Sequence, residues 1–372
     1  MRLGINATIL DGRPSGLGVY TVNIVRQLAA RAGDVVAYTS VDGVPGLDAG
    51  GVRNVVTAVR PSLGRYGHLA RLVWMQTVFP LRLMRERRSV VFSPCPEGML
   101  LPPMPQVCVV HDLLPLRFRE YFPRLQWYFS RVLPSILRRC AVVIVDSEST
   151  RRDLASFFGI GDGRVQVVPP SHEAERFHAG LDPAPVARRY GLERYILYVG
   201  NLLPHKNVKG LIQAFAQVRG CIPHQLVIVG HQDPRFYPGL SAEIERLGLG
   251  ERVVSLDYVP DQDLPSLYAG ADLYVQPSLF EGFGLTVLEA MACGTPVIAA
   301  RGGALPEVGA DAVCWVEPGD VDGLAAALGR VARDRDLKAS LREWGLRRAS
   351  DFAWVASGER IFRILEGTPG AA

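Results

Sequence analysis

The sequence predicts the α/β class: two doubly wound parallel-sheet domains of Rossmann-like type, facing across a cleft. Three observations carry that expectation. The chain has 372 residues, more than one hydrophobic core normally organises. Short runs rich in Val and Ile alternate with helix-like stretches, the pattern of parallel strands buried on both faces. The alternation comes in two blocks of similar length, so one architecture is used twice.

In the first block, residues 3–9, 35–39, 90–93, 107–110, 142–145 and 165–168 read as strands, with helices over 19–30 and 125–137. The second block supplies strands at 195–199, 226–229, 253–256, 273–276, 297–299 and 313–316. Between them, residues 171–193 carry Gly180, Pro183 and Pro185 with no strong period and read as a linker. The expected domains are 1–175 and 190–352, with 353–372 forming a helix that returns to the first. Two such domains make a cleft suited to a ligand with two dissimilar halves.

A hydrophobic content of 48% with 21% charged residues places the chain among ordinary globular proteins. No apolar run approaches the roughly 18 residues that a membrane span needs. The first residues show no signal-like apolar stretch, so a cytoplasmic protein is expected. The six cysteines are far apart with no C-x-x-C pair, which suggests neither a disulfide framework nor a zinc site. Charge is uneven: residues 1–170 hold 21 Lys+Arg, all of them Arg, against 12 Asp+Glu, a balance of +9. The remainder balances at −5, so an anionic partner is expected on the first half.

The most informative segment is PSLFEGFGLTVLEAMACGTPVIA, residues 277–299. It reads as a strand end, a glycine-bearing loop and a helix of about two turns, with Gly294 at its C-terminal end and Pro296 beyond. Gly282 and Gly284 let the backbone approach a bulky ligand and aim N–H groups at a phosphate. Glu281 precedes the helix, where a carboxylate can accept hydroxyl donors of a bound hexose, and Glu289 one turn on can bind a ribose diol. For two lone glutamates the simpler reading is a helix-dipole partner and a surface residue.

The context decides between them. The segment resembles the E-x7-E signature of family 4 glycosyltransferases, including its G-F-G loop and E-A-M-A-C-G-T-P-V helix. YILYVGNLLPHKN, residues 195–207, is similar to the strand and loop that open that family's nucleotide-binding domain, and His111-Asp112 and residues 145–150 match as well. The resemblance implies the GT-B fold and retaining transfer of a hexose from a nucleoside-diphosphate sugar to a saccharide or lipid-linked glycan acceptor. Mannose from its guanosine diphosphate (GDP-mannose) is favoured, and glucose from the uridine donor (UDP-glucose) comes next.

Residue by residue, the resemblance implies that Glu281 contacts the transferred sugar and Glu289 the ribose. Backbone N–H groups of Gly284, Leu285 and Thr286, with Gly282 and Phe283 in the same loop, should hold the diphosphate. Lys206 should add a positive charge to it. Members often place Arg directly after the glycine of the strand at 195–199; here Asn201 stands there, so one phosphate cation is missing or supplied elsewhere. His111, ending the strand at 107–110, is expected to contact the donor sugar, with Asp112 supporting either His111 or the backbone. Gly16 and Gly18 would approach the donor diphosphate, although a tight turn explains them equally. Tyr258 and Val259 are expected to border the base.

The departing nucleoside diphosphate needs its developing charge stabilised, which Lys206 and a helix N-terminus can do without metal. No D-x-D motif stands in a suitable loop, so no metal and no cofactor is expected. Double displacement would need a carboxylate nucleophile; the resemblance makes Glu281 a sugar-orienting residue instead, which favours front-face transfer. Two other readings stay open: a sugar-nucleotide epimerase, and a non-catalytic subunit, against which intact Glu281, Glu289, Lys206 and His111 count. Finally, Arg124, Arg131 and Arg138 share a helix face with Trp127 beside them, and Arg71, Arg82 and Arg85 share a face in the stretch 65–88 that Pro80 interrupts. These suggest docking on an anionic inner membrane surface, with a solvated basic face as the alternative. Nucleic acid is not an expected partner.

Overall fold

The structure, a computed structural model, describes residues 1–371 apart from 11–15, 41–46, 48–51, 58, 60–63 and 162, and residues 64–66 in backbone only. The chain divides into two compact units, one of Met1–Pro170 with Trp354–Ala372, the other of Ser171–Ala353. The stretch read as a linker, 171–193, therefore lies wholly within the second unit. Residues Ala184–Arg189 form a helix there, because Val186 and Leu192 are apolar enough to join its core.

The first unit holds strands β1 (Arg2–Ala7), β2 (Asp34–Thr39), β3 (Val52–Val56), β4 (Val90–Ser93), β5 (Gln106–Val110), β6 (Val142–Val145) and β7 (Val165–Val167). All pair in parallel, in the order β3-β2-β1-β4-β5-β6-β7. The second unit repeats the design with β8 (Tyr195–Val199), β9 (Gln225–Val229), β10 (Val253–Leu256), β11 (Leu273–Gln276), β12 (Val297–Ala300) and β13 (Val313–Val316), ordered β10-β9-β8-β11-β12-β13. Helices on both faces explain why strands such as YILYV are apolar at every position: all five residues of β8 are buried. In each sheet the chain reverses direction at one point, between β1 and β4 and between β8 and β11. Ligands of open α/β sheets bind off the strand carboxyl ends at that point.

The helix Trp354–Glu366 closes the first unit, placing Trp354, Ile361 and Leu365 in the core formed by β1, β2, β4 and the helix Gly16–Ala29. Gly358 lets it approach: a Cβ there would lie 2.3 Å from Gln27 Cβ.

Two expectations from helical spacing need correction. The helix expected over 125–137 is broken into Pro123–Trp127, a π-helical turn Tyr128–Val132, and Leu133–Arg138. Pro134 is the reason: it has no N–H to donate, and its ring would clash with the Ser130 carbonyl in a regular helix. The wider turn relieves this, with Leu133 N–H reaching back to Tyr128 O. Arg71, grouped with Arg82 and Arg85 on one face, is buried in an ion pair with Glu97. Along the helix Gly64–Arg85 buried positions recur to the end, at Met75, Phe79 and Leu83, while Arg82 is half-buried and Arg85 exposed, so the shared face does not give the three arginines one environment. The side chain of Arg65, which opens that stretch, lies outside the described residues.

Candidate active site

β11 ends at Gln276, and the loop that follows carries Ser278 and Glu281 to the reversal point of the second sheet. Glu281 is pinned by its backbone, which bridges to Gly303, and its carbonyl accepts the Ala304 N–H at 2.9 Å. Only glycine fits opposite it. Gly303 has φ +64, and a Cβ there would lie 2.2 Å from Glu281 O.

The side chain of Glu281 is buried, with donors on both oxygens. Lys206 Nζ lies 2.7 Å from each carboxylate oxygen. Oε1 also accepts Gln276 Nε2 at 2.6 Å and Ser278 Oγ at 2.7 Å. Gln276 is held in turn by the Tyr274 hydroxyl at 2.5 Å and donates to Ser278 Oγ at 2.9 Å. Burial opposes ionisation of Glu281, but the adjacent Lys206 charge and its hydrogen bonds outweigh it and hold the carboxyl below its ordinary range. A carboxylate surrounded by four donor contacts has no proton to give. It can orient hydroxyls, and it is not a general acid.

Lys206 reaches this position because two loops are fastened together. The turn Pro204–Lys206 follows β8; His205 O accepts the Leu279 N–H at 2.8 Å, and Asn207 Nδ2 donates to Pro277 O at 3.2 Å. Asn207 takes the left-handed conformation, φ 55, to start the next helix. Burial, then the neighbouring Lys206, pushes the His205 ring down to about 4, so the lysine is the local cation.

The helix Leu285–Ala292 begins at Gly284, φ +123, and among the described residues no side chain caps it. Its first N–H groups belong to the turn containing Leu285 and Thr286, which gives a helix N-terminus the character of an anion site. Gly282 precedes it in the same loop. Phe283 is a core residue, edge-on to Phe352 with 6.0 Å between ring centres, so a ligand meets its backbone rather than its ring. Glu289, on the second turn, is half-buried and accepts the Tyr268 hydroxyl at 3.0 Å. Burial raises its carboxyl to about 7. Asn201 is exposed; its Oδ1 accepts the Leu203 N–H at 3.4 Å. Val259 is buried, and Tyr258 is 70% exposed.

In the first unit, His111 follows β5. Its Nδ1 is 2.7 Å from Asp146 Oδ2 and its Nε2 is 3.0 Å from Pro94 O. The Pro94 carbonyl can only accept, which puts a proton on Nε2, and the carboxylate beside Nδ1 favours the doubly protonated ring. Its pKa is raised accordingly: burial works against the charge, and Asp146 overcomes it. Asp112 accepts the Leu114 N–H at 3.0 Å, and its charge also favours the protonated His111 ring, so both supporting roles expected for it remain open. Gly16 is the first residue of the helix Gly16–Ala29 and is exposed, while Gly18, two residues on, is buried; the residues at 11–15 lie outside the described residues.

Sequence reasoning gave no role to Gln276, Ser278, Tyr268 or Asp146, although Ser278 and Asp146 lie within the matched segments 277–299 and 145–150. Val110 and Val145 are register partners, which sets the next residues, His111 and Asp146, side by side.

Two family descriptions match the chain: Glycosyltransferase Family 4 over residues 14–176 and Glycosyl transferases group 1 over residues 186–348. Among curated relatives, the O-antigen chain mannosyltransferase B of Escherichia coli is 30% identical over 67% of this chain and 66% of its own. The GDP-mannose-dependent alpha-(1-6)-phosphatidylinositol monomannoside mannosyltransferase of Mycolicibacterium smegmatis is 30% identical over 65% and 67%. The D-inositol 3-phosphate glycosyltransferase of Corynebacterium jeikeium is 32% identical over 63% and 59%. The matched stretch thus spans about three fifths to two thirds of these relatives' lengths. Sucrose-phosphate synthase of Thermosynechococcus elongatus shares the fold across the whole of both chains, with TM-score 0.82 at 21% identity. Anabaena HepE, solved in complex with UDP and glucose, does so with TM-score 0.79 at 22% identity, covering 99% of this chain and all of its own. With both halves matched by the family descriptions and the architecture shared along the whole chain, the chain belongs to glycosyltransferase family 4 and has the GT-B fold.

Proposed function

We propose that this protein transfers a hexose, with retention, from a nucleoside-diphosphate sugar to a saccharide or lipid-linked glycan acceptor. Mannose from GDP-mannose is the favoured donor group, supported by the mannosyltransferases among the relatives; glucose from UDP-glucose comes next. The observation that carries the proposal is the ionised, four-donor Glu281 beside Lys206, close in sequence to the uncapped helix at Gly284.

In this reading the diphosphate meets the N–H groups of Gly284, Leu285 and Thr286 and the Lys206 ammonium, Glu281 accepts hexose hydroxyls, and Glu289 takes the ribose diol. The bond from the anomeric carbon to the phosphate oxygen breaks while the acceptor oxygen bonds the same face. The acceptor proton passes to the departing phosphate oxygen. Lys206 and the helix dipole stabilise the charge that develops there. His111 enters as a fixed cation, proposed as a donor-sugar contact on the motif's strength. Among the described residues no cluster of three or more His, Cys, Asp or Glu is arranged to hold a metal ion, and the proposed reaction uses none.

Incubation with candidate donors tests this, scoring transfer against isomerisation. Glu281→Gln should lower turnover by about 100-fold or more while leaving nucleotide affinity nearly intact, because the contact is strongest in the transition state. Near-normal turnover in that variant defeats the assignment.

Among the described residues no helix is long and apolar enough to cross a membrane. We place the protein in the cytoplasm, peripheral on the inner face of the membrane, reaching a lipid-linked acceptor. Exposed Trp127 beside Arg124 supports this, as do exposed Leu69, Val73, Leu81 and Met84 along the helix Gly64–Arg85. Wild type should float with anionic and not neutral liposomes; if Arg124/Arg131/Arg138→Glu floats equally well, those arginines have no part in it.

A further inference from the structure

The first unit carries a second concave site, on the surface formed by the π-helical turn and the helix Glu148–Phe158. A pocket of about 380 Å³ opens there, with Arg119, Arg131 and Arg138 around it and Leu116, Phe157 and Phe158 among its apolar walls. None of its lining residues is acidic. The nearest acids in sequence are engaged elsewhere: Asp153 pairs with Arg117 at 2.5 Å, Glu148 with Arg151 at 2.6 Å, and Glu120 with the Tyr121 hydroxyl. Among the described residues, none of the three pocket arginines is ion-paired.

Two of these guanidinium groups are set in place by the backbone. Arg119 Nε donates to Leu116 O at 3.2 Å, and Arg138 Nη2 donates to Phe158 O at 3.4 Å. Arg138 is steadied further where Arg164 Nη1 donates to its carbonyl at 2.9 Å. Arg131 stands in the widened turn itself, the kind of irregularity that recurs at functional sites. Three cations without a counter-charge repel one another, and an oxyanion placed among them removes that cost. Guanidinium forks fit tetrahedral oxyanions with paired N–H donors. The apolar walls ask for a non-polar body behind the charge.

We propose that this pocket binds a phosphoryl group, as a phosphate ester or diphosphate carried on an apolar body. It lies on the first unit and does not depend on the donor reading; its headgroup source rests on the membrane docking proposed above, with which it shares Arg131 and Arg138, and the pyrophosphate arm is independent of that docking. Two sources offer that chemistry, a soluble phosphorylated molecule and a phospholipid headgroup, and the experiment separates them. Calorimetry with inorganic pyrophosphate at low salt is run on wild type, on Lys206→Met, and on Arg119→Gln/Arg131→Gln/Arg138→Gln; sedimentation with phosphatidylglycerol vesicles runs alongside. All three arginines are exposed, and a thermal melt confirms that the triple variant folds; Arg131→Lys/Arg138→Lys keeps the charge without the fork.

Binding that survives Lys206→Met, and weakens at least about tenfold in the triple variant with an intermediate loss in the lysine variant, supports a phosphoryl site open to soluble ligands. Vesicle binding lost in the triple variant, without pyrophosphate binding, supports the headgroup source. Equal binding by wild type and the triple variant in both arms overturns the proposal, as does no binding in either. Loss of pyrophosphate binding in Lys206→Met alone also overturns it, and assigns that binding to the donor site.

Discussion

Replacing Lys206 by methionine keeps side-chain length and removes the charge, which tests the Lys206–Glu281 pair directly. The two side chains are 14% and 9% exposed, and Nζ is 2.7 Å from both oxygens. Removing one partner of a buried pair costs about 3–5 kcal/mol because the other charge is left unpaired. Gln276 and Ser278 still donate to Oε1, so a loss near about 3 kcal/mol is expected. The pH dependence has a definite sign. In the native protein the Glu281 carboxyl is held low, so the pair's contribution is present above the ordinary carboxylate range and fades as pH falls through the lowered value. Without Lys206, burial dominates and raises the carboxyl, so the deficit of the variant is small in acid and grows as pH rises past the ordinary range. Urea unfolding of wild type, Lys206→Met, Glu281→Gln and the double variant, at about pH 5 and pH 8, measures this. The cycle should show a coupling of about 2–3 kcal/mol at the higher pH. Losses that add to within about 0.5 kcal/mol would refute the reasoning, since lysine and carboxylate would then act separately.

Glu289, raised to about 7 by burial, should make stability fall as pH rises from the ordinary carboxylate range towards 7, and Glu289→Gln should flatten that slope in thermal melts. If the ionised carboxylate takes the ribose, calorimetric donor affinity should improve through the same interval in wild type only. Gly303→Ala places a Cβ against Glu281 O at a positive φ; a stability loss of about 2 kcal/mol and a marked fall in turnover are expected from melts and initial rates. Activity should withstand excess chelator, and abolition restored by magnesium or manganese would contradict the role given to Lys206 and the helix N-terminus.

The parts of the fold written in one-residue patterns were readable in advance. Strands buried on both faces announce themselves as unbroken apolar runs, and the segment around Glu281 and Glu289 resembles its family's signature closely enough to place the chain in that family. β3 was not legible: it is an edge strand, VRNVV, with no buried position, so it lacks that pattern. Gln276 looked like the polar end of a strand, and only the folded loop shows it linking Tyr274 to Glu281. Arg71 resembled its exposed neighbours because spacing reports the face of a helix and says nothing of what lies opposite. Glu97, 26 residues away, decides it.

The helix Trp354–Glu366 has a consequence for the order in which the molecule can be built. The first unit is made from two separated stretches, whereas Ser171–Ala353 is continuous. A ribosome therefore delivers every residue of the second unit before Trp354, Ile361 and Leu365 exist to cover the apolar face of the helix Gly16–Ala29. During synthesis the earlier-made half must wait, with that face open to chaperones or to aggregation, while the later-made half completes itself. Chains halted at residue 353 should resist protease over 171–353 and be cut within the first 170 residues.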